Sequence, residues 1–275
     1  MAHGLGAVRT LGLPRYAERF AGAGLACLVF DYRHFGDSEG EPRQLIDIER
    51  QLDDWASAIA FARQVEGLDG ARLALWGTSF GGGHAITMAA RDRHVRAVVA
   101  QCPFTDGQAS SRVLSVWTRL ALAGYALRDA AAAWAGGAAV TVPVAGVPGE
   151  TALLNAADVD QGWRALIAPG DDEPVNAAAA RIVWRLPYYR PGKALREIDC
   201  PVLLHVCDYD SVAPASATLR HAARGGSSVE ARRYPAGHFE IYVGDWFEQI
   251  VVEQTEFLTA HLSKSGTAPL VEALR

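Results

Sequence analysis

The sequence lacks the features of a protein that binds nucleic acid or spans a membrane. Its 275 residues carry a formal net charge of −5, and Lys and Arg form no cluster. Binding phosphates or anionic lipids requires such a cluster, so we expect neither nucleic acid nor membrane as a partner. No apolar run reaches the roughly 18 residues of a transmembrane helix. The N-terminus also has no basic segment followed by an apolar one, so no signal peptide is predicted.

Cysteine and histidine are too few and too scattered to predict a disulfide framework or a metal site. The four cysteines have no C-x-x-C spacing, and in or beside strands a free cysteine behaves as a small apolar side chain. No pair among the eight histidines has ligand spacing together with a third ligand. We therefore expect a reduced, cytoplasmic protein without a metal. The cysteines are Cys27, Cys102, Cys200 and Cys207.

The most informative segment is the pentapeptide at residues 77–81, Gly-Thr-Ser-Phe-Gly. The apolar residues 72–76 before it predict a buried strand, and residues 82–90 after it predict a helix. A serine at a sharp strand-to-helix turn has an exposed hydroxyl, and flanking glycines relieve the crowding of the turn. Ser79 is therefore the candidate nucleophile.

A serine nucleophile needs a histidine base and a carboxylate, and both follow later in the chain. Residues 201–206 predict a buried strand, and Asp208 and Asp210 follow its carboxyl end, where open α/β sheets hold their ligands. Residues 229–234 predict a further strand, which leads to His238 in a Gly-containing turn ahead of a helix. His238 is therefore the candidate base, and both aspartates are candidate acids.

Together these motifs resemble the α/β-hydrolase superfamily, and in particular bacterial hydrolases of the dienelactone-hydrolase-like and X-Pro-dipeptidyl-peptidase-like groups. The resemblance covers nearly the whole chain and implies a mostly parallel sheet flanked by helices, with a Ser-Asp-His triad. Its motifs are specific for the fold and the triad but only weakly specific for the substrate. The matching segments are His3-Gly4-Leu5-Gly6, residues 31–38, the serine pentapeptide, Asp210 with Pro214, and Gly237-His238-Phe239.

The resemblance also chooses among the carboxylates. In similar enzymes the acid stands four residues before a proline, which selects Asp210 over Asp208 because of the position of Pro214. Some relatives place the acid one strand earlier, so Asp106 is the remaining alternative. Asp208 is otherwise interpreted as a carboxylate of the loop.

Two backbone amides are expected to bind the oxyanion of the tetrahedral intermediate. One is the amide of Phe80, which also lies at a helix N-terminus with its partial positive charge. The other should come from the turn after His3, with Leu5 as the first choice and Gly4 as the second. His3 itself is interpreted as a structural residue that braces this turn.

A long insertion interrupts the alternation of strands and helices. Residues 109–190 are predicted to form a helical cap, and residues 1–108 with 191–275 the hydrolase core. In similar hydrolases an insertion after the sixth strand covers the serine and shapes the pocket. Its tryptophans either bury apolar substrate surface or only pack the cap onto the core. They are Trp117, Trp134, Trp163 and Trp184.

The resemblance further predicts a gap in the sheet. In similar hydrolases the His-Gly turn follows the third strand, which lies between the fourth and the fifth. Here the turn begins at residue 3, so the first three strands are missing, while residues 25–30 and 72–76 predict the fourth and fifth. An empty interior position leaves backbone groups unpaired. Either the neighbouring strands pair directly, or another segment fills the position, or Met1 is an internal methionine; the third is our working hypothesis.

The sequence thus predicts a serine hydrolase that cleaves small to medium carboxylic esters through an acyl-enzyme on Ser79, with Asp210 and His238. We expect a small-molecule ester as the partner and no cofactor, and a homodimer is left open. Two alternatives stay open. One is a peptidase or amidase of the same fold, for which residues 171–173 could supply carboxylates; the other is an N-terminally truncated, non-catalytic hydrolase-like protein.

Overall fold

The fold is built on four parallel strands in the order β1-β2-β5-β6. The computed structural model describes residues 1–263. The strands are β1 (Ala74–Thr78), β2 (Ala97–Gln101), β3 (Thr141–Val142), β4 (Ala178–Ala179), β5 (Val202–Cys207) and β6 (Val229–Tyr234). The helices are α1 (Leu13–Gly22), α2 (Ile48–Ala62), α3 (Phe80–Arg91), α4 (Gly107–Ser111), α5 (Val116–Trp134), α6 (Val159–Ala165), α7 (Ala215–Ala222) and α8 (Gly244–Leu262). Short 3-10 helices span Ala180–Trp184, Leu186–Tyr188, Pro191–Glu197 and Glu240–Tyr242.

Helices cover both faces of this sheet. Every crossover advances in the same direction along the strand order, so the right-handed rule places α3 and α7 on one face. Helix α8 packs on the other face against β2 and β5. Because all four strands are parallel, the segments that follow β1, β5 and β6 emerge at one edge. The predicted α/β-hydrolase fold is confirmed.

The predicted strand at residues 25–30 is wrong. The segment has no regular secondary structure and pairs with no strand of the part of the chain that the structure describes. Its carbonyl oxygen at Leu28 instead accepts a hydrogen bond from the amino group of Met1, at 2.7 Å. A strand needs a neighbour with which to exchange backbone hydrogen bonds, and the adjacent position contains no continuous neighbour for this segment.

A cavity lies in the predicted gap. Ala2 forms a parallel bridge with Gly77, with hydrogen bonds from Ala2 N to the Trp76 oxygen at 3.2 Å and from Thr78 N to the Ala2 oxygen at 3.4 Å. Beyond this bridge, a cavity of about 430 Å³ lies between residues 24–30 and β1, with a lining that is mostly apolar but includes Asp69 and Arg72. Residues 24–30 and β1 therefore do not pair directly, and residues 1 and 2 lie at one end of the empty strand position between them.

The inserted segment is only partly helical. It contains α5 and α6, but also the antiparallel pair of β3 with β4 and two of the 3-10 helices. A buried charge attaches α5 to the rest of the segment, because Asp129 accepts hydrogen bonds from the Arg181 side chain at 2.7 Å and from the Val140 amide at 2.8 Å. The domain division at residues 109–190 stays a prediction.

A buried amide connects α8 to the sheet. The Gln254 side chain accepts a hydrogen bond from Trp76 Nε1 at 2.8 Å and donates one to the Gln101 side chain at 2.8 Å. Gln254 is fully buried, so both of its polar groups depend on these partners. The bonds join one helix to two neighbouring strands.

Replacing Gln254 by Leu should therefore destabilise the fold. The variant leaves the buried Trp76 N–H without its acceptor, which should lower the free energy of unfolding by about 2 kcal/mol. Urea denaturation followed by fluorescence measures the change. Gln249→Leu on the exposed side of the same helix is the control and should change the stability by less than about 0.5 kcal/mol. Equal stabilities of the two variants would contradict this role of Gln254.

Candidate active site

The turn at Ser79 places its side chain at the carboxyl edge of the sheet. Ser79 has φ of 52° and ψ of −119°, a conformation that L residues rarely adopt. Two glycines make this turn sterically accessible. A Cβ atom on Gly77 would collide with the Gly81 oxygen, and one on Gly81 would collide with the His3 oxygen. The sequence pattern therefore follows from the backbone contacts of the turn.

A buried histidine connects this serine to a carboxylate. Nε2 of His238 lies 3.1 Å from Ser79 Oγ, and Nδ1 lies 2.7 Å from Asp210 Oδ2. The other oxygen of Asp210 accepts hydrogen bonds from the backbone amides of Val212 at 2.8 Å and Ala213 at 2.6 Å. These amides fix the carboxylate, so that Oδ2 points at the imidazole ring. The structure thus brings together the three predicted residues from three separate strand ends.

The charge of Asp210 also sets the protonation of the ring. Burial alone lowers the pKa of His238, but the negative charge of Asp210 and its hydrogen bond outweigh burial. The pKa of His238 is consequently held well above its ordinary value. Such a ring is a strong proton acceptor for a neighbouring hydroxyl.

Neither of the two alternative carboxylates contacts this histidine. Asp208 forms a salt bridge with Arg233 at 2.8 Å. Asp106 accepts hydrogen bonds from Arg190 at 2.7 Å and pairs with His221 at 3.3 Å. Burial raises the pKa of Asp106, but these bonds outweigh it and lower the pKa. Both carboxylates therefore have partners of their own away from Ser79.

The predicted oxyanion donors lie beside the serine. A Cβ atom on Gly4 would be 3.1 Å from Ser79 Cβ, so the backbone of this turn touches the nucleophile directly. Within residues 1–263, the amides of Leu5 and Phe80 donate no hydrogen bond to protein groups, and both residues line the cavity at Ser79. Nδ1 of His3 contacts the Gly4 oxygen at 3.1 Å, which places His3 in the turn as predicted.

A thiol that the sequence did not indicate lies next to the His-Asp pair. Cys102 Sγ, an oxygen of Asp210 and a ring nitrogen of His238 all lie within 4.8 Å of one another. The thiol also contacts the Tyr242 hydroxyl at 3.3 Å, and that hydroxyl bonds to Thr78. This trio is the group with metal-ligand spacing among the described residues, but Asp210 and His238 already bond each other. The one available signal was that Cys102 directly follows β2.

A cavity of about 320 Å³ lies next to Ser79. None of the four cap tryptophans is among its lining residues in the described part of the chain. Of the two alternatives for these tryptophans, contact with a substrate in this cavity is therefore not supported. Trp117, Trp134 and Trp184 are exposed, and Trp163 packs in the core. Apolar lining comes from Leu5, Phe104, Leu114, Leu153, Leu154 and Val212. Besides Ser79, polar lining comes from Ser110, Ser111, Ser115, Thr118, Asn155 and Ser211.

Comparison with known proteins gives the family. The family described as "Serine aminopeptidase, S33" matches residues 1–158, more than half of the chain. The chain belongs to this S33 family. It is also 51% identical over 258 residues to the quorum-quenching protein AidA of Acinetobacter baumannii, a match that covers 94% of this chain and 84% of that protein.

Two further similarities concern a part of the S33 chain and its fold. It is 42% identical over 106 residues to the thiohydrolase aneE of Aspergillus aculeatus, covering 38% of this chain and 33% of that protein. The crystal structure of the α/β hydrolase GrgF from Penicillium sp. sh18 superposes with a TM-score of 0.81 at 23% identity, covering 96% of this chain and 89% of that one.

The family and its relatives support an enzyme of the hydrolase type. They support the α/β-hydrolase superfamily, but not the narrower resemblance to dienelactone hydrolases or X-Pro dipeptidyl peptidases. Among residues 1–263, no helix combines the length and the apolar character needed to cross a bilayer.

The raised pKa of His238 predicts a particular pH dependence. Below that pKa the imidazolium cannot accept the serine proton, so kcat/KM should fall as the pH decreases, with a midpoint above about 6.5. Asp210→Asn should move this midpoint to lower pH and reduce kcat by roughly 10⁴-fold, since the imidazole loses its charged partner. The control Asp208→Asn should leave both unchanged. The measurement is the pH profile of ester hydrolysis for all three proteins. A larger loss of activity in Asp208→Asn than in Asp210→Asn would show that Asp208, and not Asp210, is the acid.

Proposed function

We propose that the protein is a serine hydrolase that cleaves small to medium carboxylic esters through an acyl-enzyme on Ser79. The observation that carries this proposal is the continuous series of hydrogen bonds from Ser79 through His238 to Asp210. A nucleophile, a base and an orienting acid in this order are the requirements of acyl transfer to a serine.

The proposed mechanism assigns one task to each group. Ser79 Oγ attacks the carbonyl carbon of the ester while Nε2 of His238 takes its proton. Asp210 accepts a hydrogen bond from the Nδ1–H group of His238 and stabilises the positive charge of the imidazolium. The amides of Phe80 and Leu5 donate hydrogen bonds to the oxyanion. Because Phe80 is the first residue of α3, the partial positive charge at this helix N-terminus also stabilises the oxyanion. The tetrahedral intermediate collapses when His238 returns the proton to the leaving alcohol, and water then hydrolyses the acyl-enzyme by the same steps.

The cavity supports a small substrate of mixed polarity. Its volume of about 320 Å³ is near the lower end of the range for small-molecule pockets. Apolar side chains suit an acyl chain, and the hydroxyl and amide groups suit a polar substituent on either side of the ester bond. The similarity to a quorum-quenching protein favours a small signalling molecule with an ester bond as the substrate.

Peptidase or amidase action is the second candidate, since the family carries the description of a serine aminopeptidase. Holding the free N-terminus of a peptide would require carboxylates that face the serine. The acidic residues 171–173 are exposed and are not among the residues that line the cavity, and Glu173 pairs with Arg164 at 3.4 Å. In the described residues the cavity lining contains no Asp or Glu, which favours ester over peptide cleavage.

Ser79→Ala should abolish ester hydrolysis. Removal of the nucleophile should lower kcat by about 10⁴-fold or more while leaving the fold intact, because alanine is no larger than serine. A fluorescent fluorophosphonate should label the wild type and not the variant. Ser57→Ala, at an exposed serine on α2, is the matched control and should keep both labelling and activity. More than a tenth of the activity in Ser79→Ala would show that Ser79 is not the nucleophile. A folded wild type that is neither labelled nor active would favour the non-catalytic alternative.

Enlarging the cavity should change substrate size preference. Leu153→Ala removes a buried lining side chain, so kcat/KM for octanoyl esters should rise several-fold relative to acetyl esters. Val175→Ala, at an exposed position outside the lining, is the control and should keep the wild-type ratio. The same panel should contain matched amides and aminoacyl amides. Faster cleavage of these amides than of the esters would select the peptidase candidate.

A further inference from the structure

Helix α5 carries an apolar stripe on its outer surface. Six of its positions repeat at steps of three and four residues, the spacing of a coiled-coil seam. Trp117 is 81% exposed and Trp134 is 93% exposed, while Leu120 and Leu127 are 59% and 63% exposed. The seam positions are Trp117, Leu120, Gly124, Leu127, Ala131 and Trp134.

The stripe lies opposite the side by which α5 is attached to the protein. The buried residues of the helix are Thr118, Leu122, Ala126 and Asp129, about half a turn away from the seam. Asp129 is held by Arg181, so the helix cannot rotate to bury its apolar side instead. Solvent exposure of two tryptophans and two leucines on one line of a helix is costly unless another surface covers them.

We propose that two copies of the chain associate through antiparallel pairing of their α5 helices. A twofold axis at the centre of the seam brings each large side chain opposite a small one or another aromatic. The facing pairs are Trp117 with Trp134, Leu120 with Ala131, and Gly124 with Leu127 of the second copy. Since each pair occurs twice, the stripe is complementary to itself, as a twofold interface requires.

The exposed area matches the size of a stable interface. The two tryptophans offer roughly 400 Å² per copy. The exposed leucines and the adjoining Val116 add roughly 60 to 100 Å² each. The sum of roughly 600 to 700 Å² reaches the lower end of the roughly 600 to 1,000 Å² per partner that specific interfaces bury.

A second copy fits this surface better than a lipid bilayer. A helix that lies in a membrane surface inserts bulky apolar residues along its length. The middle of the stripe instead alternates leucine with Gly124 and Ala131. Small residues at these positions allow close approach of a second helix, into whose surface the leucines can pack.

The test measures the molecular mass in solution of the wild type and of variants that introduce opposite charges at two facing positions of the seam. Sedimentation equilibrium of the full chain between about 1 and 100 μM should show a dimer. Gly124→Arg and Leu127→Glu should each weaken it by at least about 100-fold, because each buries unpaired charges. The double variant should recover dimerisation, since the introduced arginine of one copy would face the introduced glutamate of the other. Val252→Glu, at an exposed apolar position on α8, should remain dimeric.

Other outcomes would overturn the proposal. A wild type that is monomeric over the whole concentration range has no such interface. A dimer that both single variants leave intact associates through another surface, and failure of the double variant to recover contradicts the antiparallel register. Circular dichroism checks that the variants fold, and Leu120→Arg replaces a variant that does not. Binding of a monomeric wild type to phosphatidylglycerol vesicles, lost in Leu127→Glu, would show that the stripe binds lipid.

Discussion

The site depends on the close contact between two tight turns. The first runs through residues 2–5 and the second through residues 77–81. A side chain on Gly81 would collide with the His3 oxygen, and one on Gly4 would press tightly against Ser79 Cβ. The backbone bridge of Ala2 with Gly77 holds them in register. This contact places Ser79, Leu5 and Phe80 at the same cavity. The nucleophile and its proposed oxyanion donors are therefore parts of one backbone arrangement.

Sequence analysis predicted those site residues for which the proposed chemistry allows few residue types and few positions. An exposed serine at a turn requires glycines, and the parallel sheet brings the ends of β1, β5 and β6 to one edge. Ser79 and His238 could therefore be named from their order along the chain, which left Asp208 and Asp210 as candidate acids. The choice of Asp210 over Asp208 came from resemblance alone, and its physical basis is the pair of amides at Val212 and Ala213.

The failures concern features that depend on distant parts of the chain. Residues 25–30 have the composition of a strand, but a strand also needs a hydrogen-bonded neighbour, which composition does not reveal. The spacing of the tryptophans in α5 indicates that this helix has an apolar side, but not whether that side faces the core or the solvent. Cys102 looked like a small apolar residue because its neighbours Tyr242 and His238 are far away along the chain, with sequence separations of 140 and 136.

The backbone conformation of Ser79 lowers the stability of the fold at a residue that the proposed reaction requires. Its positive φ costs conformational energy of about 1 to 3 kcal/mol, which a glycine at the same position would largely avoid. A glycine there would have no hydroxyl. Selection for a more stable protein and selection for an active one should thus act in opposite directions at this residue. Thermostabilising changes that preserve turnover should be sought elsewhere in the fold, because this strained residue is the one that the proposed chemistry cannot lose.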